Sequence, residues 1–166
     1  GASVPTETVV IPGASDWTDI DTPLTFGTGT MDATGEGSAR TVASFDGDFT
    51  LTATVNSETN WNFGCFATSE VGSFNKATGN GGLGSMTVSY FYNGGDDTLF
   101  YGSASQGSGG TWSSGDVVTI KRVGTTVTFM NDASVLLAFS QTTSVALTIM
   151  FGAGGTTDIN DIQWVV

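Results

Sequence analysis

Apolar residues in this chain recur at every second position, and no helical spacing of three and four persists. Phe49, Leu51, Ala53 and Val55 alternate with Thr50, Thr52, Thr54 and Asn56. Trp61, Phe63, Cys65 and Ala67 alternate with Asn62, Gly64, Phe66 and Thr68. Met86, Val88, Tyr90 and Tyr92 form a further row, as do Val118 with Ile120 and Val127 with Phe129. Val145, Leu147, Ile149 and Phe151 come next, and Ile162, Trp164 and Val166 close the chain. Successive side chains of a strand point to opposite faces, so these rows predict half-buried strands. Threonine suits the outward positions because it is both β-branched and polar. The long, straight helix formers are scarce: charged residues make up 12% of the chain, about half the usual ~25%.

Glycine-bearing turns separate the rows. Asp46-Gly47, Asn93-Gly94-Gly95, Ser114-Gly115-Asp116 and Val123-Gly124-Thr125 read as reversals. The run from Lys121 to Val127 reads as a tight hairpin. Gly79–Gly84 and Gly102–Gly110 read as long surface loops. The three prolines, Pro5, Pro12 and Pro23, all fall near the start. Residues 1–15 therefore read as an arm carrying a short first strand at Thr8–Ile11, and residues 16–166 as one sandwich domain. A length of 166 residues suits one domain better than two. Many short antiparallel strands with glycine turns predict an all-β sandwich or barrel.

Composition excludes several functions. Sixteen acidic residues face four basic ones, for a net charge of -12. Such a chain repels a nucleic-acid backbone and an anionic lipid surface. No apolar run approaches the ~20 residues of a membrane helix. The chain has no histidine, so neither a Ser-His-Asp nor a Cys-His system can be assembled. Cys65, the one cysteine, lies in an apolar run and reads as a small buried hydrophobe. No leader-like charged and apolar segment opens the sequence. Low lysine with abundant Thr, Ser and Gly matches secreted or virion-surface proteins in composition.

The C-terminal third carries the sharpest pattern. Trp112-Ser113-Ser114-Gly115-Asp116 opens the strand Val117–Arg122, and Gly124 leads into Val127–Asp132. Leu136-Leu137, Ala146–Phe151 and Ile159-Asn160-Asp161-Ile162 follow, while Asp48-Phe49-Thr50-Leu51 stands upstream. Together these segments resemble the concanavalin A-like lectin/glucanase (LamG-like) jelly roll over roughly residues 40–166. The resemblance implies two curved antiparallel sheets, with sugar bound on the concave face or its rim loops. It also implies that the first and last strands lie side by side, with Val9–Ile11 near Ile162–Val166. Asn131-Asp132-Ala133 departs from the family's Asn-Gly and predicts a looser turn.

Three chemistries are conceivable on that frame. Glycoside hydrolysis uses a pair of carboxylates, which the related glucanases set on one strand. Here Glu7, Glu36, Glu58 and Glu70 all lack an acidic partner two residues on, and Asp46 and Asp48 flank a turn glycine. Calcium takes several oxygen ligands from loops, and Asp96, Asp97, Asp158 and Asp161 are its candidates, against the alternative of solvated turn carboxylates. Sugar binding would use aromatic rings with amides and carboxylates, from among Trp17, Trp61, Trp112, Tyr92 and Tyr101. Trp61 and Trp164 share rows with core residues. Trp112 lies in a Gly/Ser loop, either as an exposed ring or folded back over the sandwich. Tyr92, Asn93, Asp96 and Asp97 form the second candidate cluster. Aromatics on both parities at Tyr90, Phe91 and Tyr92 indicate a sheet covered on both faces or used for binding.

The expectation is a non-catalytic, lectin-like module of an extracellular or phage surface protein, recognising a glycan or cell-surface polysaccharide. A structural virion protein, either a capsid decoration or a fibre domain, is the alternative. That protein would pack against neighbours or self-associate, for instance as a trimer, without binding sugar. A glycoside hydrolase is the least favoured reading.

Overall fold

A computed structural model describes residues 7–57, 60–94, 97–140 and 145–166. The chain runs through β1 (Val9–Val10), β2 (Trp17–Thr18), β3 (Leu24–Gly27) and β4 (Thr30–Thr41). β5 (Phe49–Val55), β6 (Trp61–Ala67), β7 (Ser89–Asn93), β8 (Thr98–Tyr101) and β9 (Ala104–Ser108) follow. β10 (Asp116–Val123), β11 (Thr126–Asn131), β12 (Ser134–Ser140) and β13 (Leu147–Val165) complete it. All pairings are antiparallel, and the strands close into a two-layer β-sandwich of the jelly-roll type.

β13 belongs to both layers. Its first part pairs with β6 and with β4, from Leu147 to Ile159. Its last part, Ile159–Val165, pairs with β5, with the register shifting between Asn160 and Gln163. Asp161 adopts φ 50° at this shift, a left-handed backbone that bends the strand from one sheet into the other. One layer is therefore β3-β4-β13-β6-β7-β8-β9, with β2 also on β4. The other is β13-β5-β10-β11-β12, with β1 on the far side of β13. Val9 pairs with Val165 and Val10 with Trp164, as the resemblance implies.

The rows meet between the layers. Phe49, Leu51, Ala53 and Val55 are buried, with Thr50, Thr52 and Thr54 half-buried between them. Phe63 of β6 meets Phe129 of β11 at a ring-centroid distance of 5.5 Å. Tyr90 of β7 meets Phe139 of β12 at 5.0 Å. Trp17 and Trp164 close the other end, with centroids 6.4 Å apart. Cys65 is fully buried in this core, where burial pushes its thiol up to about 12.

The structure departs from the sequence reading in four places. β4 is a 12-residue strand that alternation does not announce, because its buried side includes only small or isolated apolar residues such as Ala33 and Ala39. Gly79–Gly84 is no surface loop. The connection from Thr68 to Val88, with 3-10 turns at Thr68–Ser73 and Leu83–Ser85, folds over the outer face of β6, β7 and β13. Leu83 and Met86 pack there on Phe66, Phe91 and Met150, forming a second, smaller core. Gly102–Gly110 contains β9, an exposed edge strand paired with β8. The turn at Asp132-Ala133 is tight, not loose: Asn131 pairs with Ser134, and Asp132 takes φ 49° in place of glycine.

Candidate functional site

The aromatic candidates converge, but inside the protein. Tyr92 and Trp61 stack at 4.7 Å with an interplanar angle of 16°. Trp112 meets Trp61 edge-on at 4.9 Å and Tyr92 at 5.1 Å. Tyr92 is fully buried and Trp112 is 3% exposed. Of the two placements open to Trp112, the loop folds its ring back into the core, and neither ring offers a stacking platform. Trp17 is buried as well. Gly109 lies against the Tyr92 ring so closely that a Cβ there would collide with it.

The Tyr92 hydroxyl donates to Asp97 Oδ1 at 3.1 Å. Burial pushes this hydroxyl above its ordinary range, and the Asp97 charge and hydrogen bond push the same way. A contact from Trp112 opposes them. Asp97 thus serves the aromatic cluster. Tyr101, 39% exposed, remains at the surface beside Tyr90 and Phe139.

The calcium candidates separate. Asp97 belongs to the β7–β8 turn, whereas Asp158 and Asp161 are exposed on β13. Asp161 Oδ2 accepts from the Thr54 hydroxyl at 3.4 Å. Asp96 and Glu58 lie outside the described residues. Among the described residues, no group of three or more acidic, cysteine or histidine side chains is placed to hold a metal.

A different site emerges on the outer face of the first layer. Asn62 shares the parity of Gly64 and Phe66, so its side chain points away from the inter-sheet core. Its register partner on β7 is Asn93. The end of the Thr68–Val88 cover walls this face. There the Glu36 carboxylate accepts from the Gly79 N–H at 3.2 Å, and the Ser38 N–H donates to the Lys76 carbonyl at 2.8 Å. The wall stands this close because both contact positions are glycine. A Cβ on Gly152 of β13 would strike the Gly79 carbonyl oxygen, and a Cβ on Gly79 would come within 2.6 Å of the Ala153 carbonyl oxygen.

The result is a cleft of about 350 Å³ lined by Glu36, Asn62, Thr78, Gly79, Asn80, Asn93 and Gly154. Among the described residues no apolar or aromatic side chain lines it. Asn80 Oδ1 is engaged by the Gly82 N–H at 3.0 Å and the Thr78 hydroxyl at 3.3 Å, which leaves its amide nitrogen as a donor. Asn62 is 5% exposed, and its Oδ1 is buried with no protein hydrogen-bond donor. A buried acceptor left unmade costs about 1–3 kcal/mol, and Asn62, which lines the cleft, carries one that the protein does not satisfy.

Of the predicted binding residues that are described, only Asn93 reaches this cleft. Asn62, Thr78 and Asn80 were not singled out from the sequence, and Glu36 was weighed there only as a hydrolytic carboxylate without an acidic partner. One signal was available: Asn62 interrupts the apolar run Trp61–Phe66, and a polar side chain in such a run is either paired or functional.

The sequence matches no protein-family model and no curated protein. Solved structures do resemble the fold. The SPRY domain of human HERC1 superposes with a TM-score of 0.60 at 14% identity, covering 90% of this chain and 94% of that one. Stonustoxin superposes at 0.65 with 13% identity over 89% of this chain, which spans 26% of the toxin chain. A protein provisionally described as a glycosyl hydrolase, from Parabacteroides distasonis, superposes at 0.61 with 9% identity, covering 92% and 89% of the two chains. These likenesses show that the chain shares the β-sandwich jelly-roll fold of those domains.

Proposed function

We propose that this chain is a non-catalytic recognition module that binds a glycan in the outer-face cleft. The observation that carries the reading is the buried, unpartnered Asn62 Oδ1 at a cleft lined by amide, hydroxyl and carboxylate groups. Sugars present many hydroxyl donors and acceptors in a small volume, and the cleft falls within the ~300–1,000 Å³ of small-molecule sites. Recognition here rests on hydrogen bonds and not on ring stacking, because Trp17, Trp61, Tyr92 and Trp112 are committed to the core and the exposed Tyr101 is not in the lining. A fold neighbour described as a glycosyl hydrolase lends support at the level of architecture. Among the described residues Glu36 is the one carboxylate in the lining, and glycosidases of the common kind use two, so the reading is binding without turnover. Calcium has no role in it.

The test is a glycan array with and without EDTA, using the native chain and Asn62→Leu. Chelation is expected to change nothing. Asn62→Leu is expected to lose binding while its melting temperature holds or rises, since an apolar side chain of similar size removes the unmet acceptor. Absence of binding to every glycan, or full binding by the variant, overturns the proposal. A stable oligomer in solution with no glycan bound favours the structural virion reading instead, in which exposed edge strand β9 supplies a contact.

A further inference from the structure

The cleft's chemistry narrows the ligand further. Two of its groups accept hydrogen bonds and differ in charge. Asn62 Oδ1 is neutral, buried and without a protein donor. Glu36 is exposed at the rim of the same cleft, and its one described hydrogen bond is Oε1 accepting from the Gly79 N–H. The wall segment holds both in place: Gly79 bonds Glu36, and a Cβ on Gly79 would fall 3.2 Å from the Asn62 amide nitrogen. No lysine or arginine lines the cleft, and the whole chain carries a net charge of -12. A uronic or sulfated sugar would bring a negative charge to a rim carboxylate with no cation to receive it. An ammonium group would gain a charge-assisted hydrogen bond at that carboxylate.

Resting on the glycan reading above, we infer that the cleft selects a saccharide unit bearing a free amino group, with the ammonium at Glu36 and a hydroxyl of the bound saccharide at the Asn62 amide. Glu36 is then the specificity-determining residue, and Asn62 serves every sugar that enters. Neutral sugars bind through Asn62 more weakly, and anionic sugars are rejected.

The experiment is calorimetric titration at mildly acid pH, where the amine is protonated. The probes are a glucosamine trimer, its fully N-acetylated counterpart, a glucose trimer and a galacturonate trimer. The native chain is expected to bind the glucosamine trimer about fivefold more tightly than the neutral trimers, the upper end of an exposed ion pair. The galacturonate trimer is expected to bind weakest. Glu36→Gln is expected to bring the amino and neutral trimers to equal affinity. Glu36→Ser serves as the second variant if the Gln variant melts early. Asp46→Asn removes one charge at a different surface cleft and is expected to leave the preference intact. Equal binding of amino and neutral trimers by the native chain overturns the inference and leaves the glycan reading standing. So does a preference that survives loss of Glu36, or one that Asp46→Asn erases equally well. Failure of every trimer to bind overturns this inference, and the array decides the glycan reading separately.

Discussion

Arg122 is 2% exposed, yet its guanidinium has no carboxylate partner among the described residues. It donates to backbone carbonyls instead: Nε to Gly47 at 3.0 Å, Nη2 to Phe45 and Gly47 at 2.7 Å each, and Nη1 to Val145. Its Cζ also lies 5.7 Å from the Phe49 ring centroid. One side chain thus ties the approach to β5 to the approach to β13. Arg122→Met strands these carbonyls, and urea unfolding should show a loss of about 2–4 kcal/mol. Cys65 and Tyr92 give a second expectation at this scale. Both have folded pKa values raised above their ordinary 9.0 and 10.0, chiefly by burial. The unfolded chain therefore releases these protons first. Stability from this source is intact below about pH 9 and falls as pH rises toward 12. Urea midpoints across that window check the sign, and Cys65→Ala should flatten the first part of the fall.

The element that most shapes the outer face is the Thr68–Val88 cover. Leu83 and Met86 hold it to the sheet by apolar contact, and its return to β7 is fixed by Glu70. The Glu70 carboxylate accepts from the Thr87 N–H at 2.7 Å and the Val88 N–H at 2.9 Å. Charge-assisted bonds of this kind are worth about 1.5–3 kcal/mol each. Glu70→Ala should speed amide exchange through the cover while leaving β5 and β10 unchanged, because those strands pack on the other core. The sequence exposes strands unevenly at this scale. β5 alternates cleanly because one face is buried and the other half-buried. β6 is buried at every position, since the cover closes its second face, and its mixed apolar run reflects that. β4 escapes a reading by alternation because its long pairing with β13, ten residue pairs from Met150–Arg40 to Ile159–Met31, rests on backbone bonds and not on large side chains.

Across the whole molecule, charge is the unbalanced quantity. One ion pair, Arg40–Asp19 at 2.6 Å, exists among the described residues, against a net charge of -12. Self-repulsion of this kind weakens the compact state and is screened by salt. The melting temperature should therefore climb as sodium chloride rises from low to physiological strength and above. A flat or falling profile would mean that the carboxylates lie too far apart to repel. The sequence by itself determined the all-β class, the inward parity of most rows and the β10–β11 hairpin, while the meeting of the first and last strands came from the resemblance to a known jelly roll. Each of these follows from local spacing, from turn residues or from a pattern of strands. Only the tertiary structure decided that Trp112 is buried, that the glycine-rich segment is a cover, and that Asn62 and Glu36 line one cleft. The Glu36–Gly79 bond joins residues 43 apart, and the glycine contact that sets the cleft wall joins Gly79 to Gly152. No local pattern encodes such distances, because they arise only when separate elements are packed against one another.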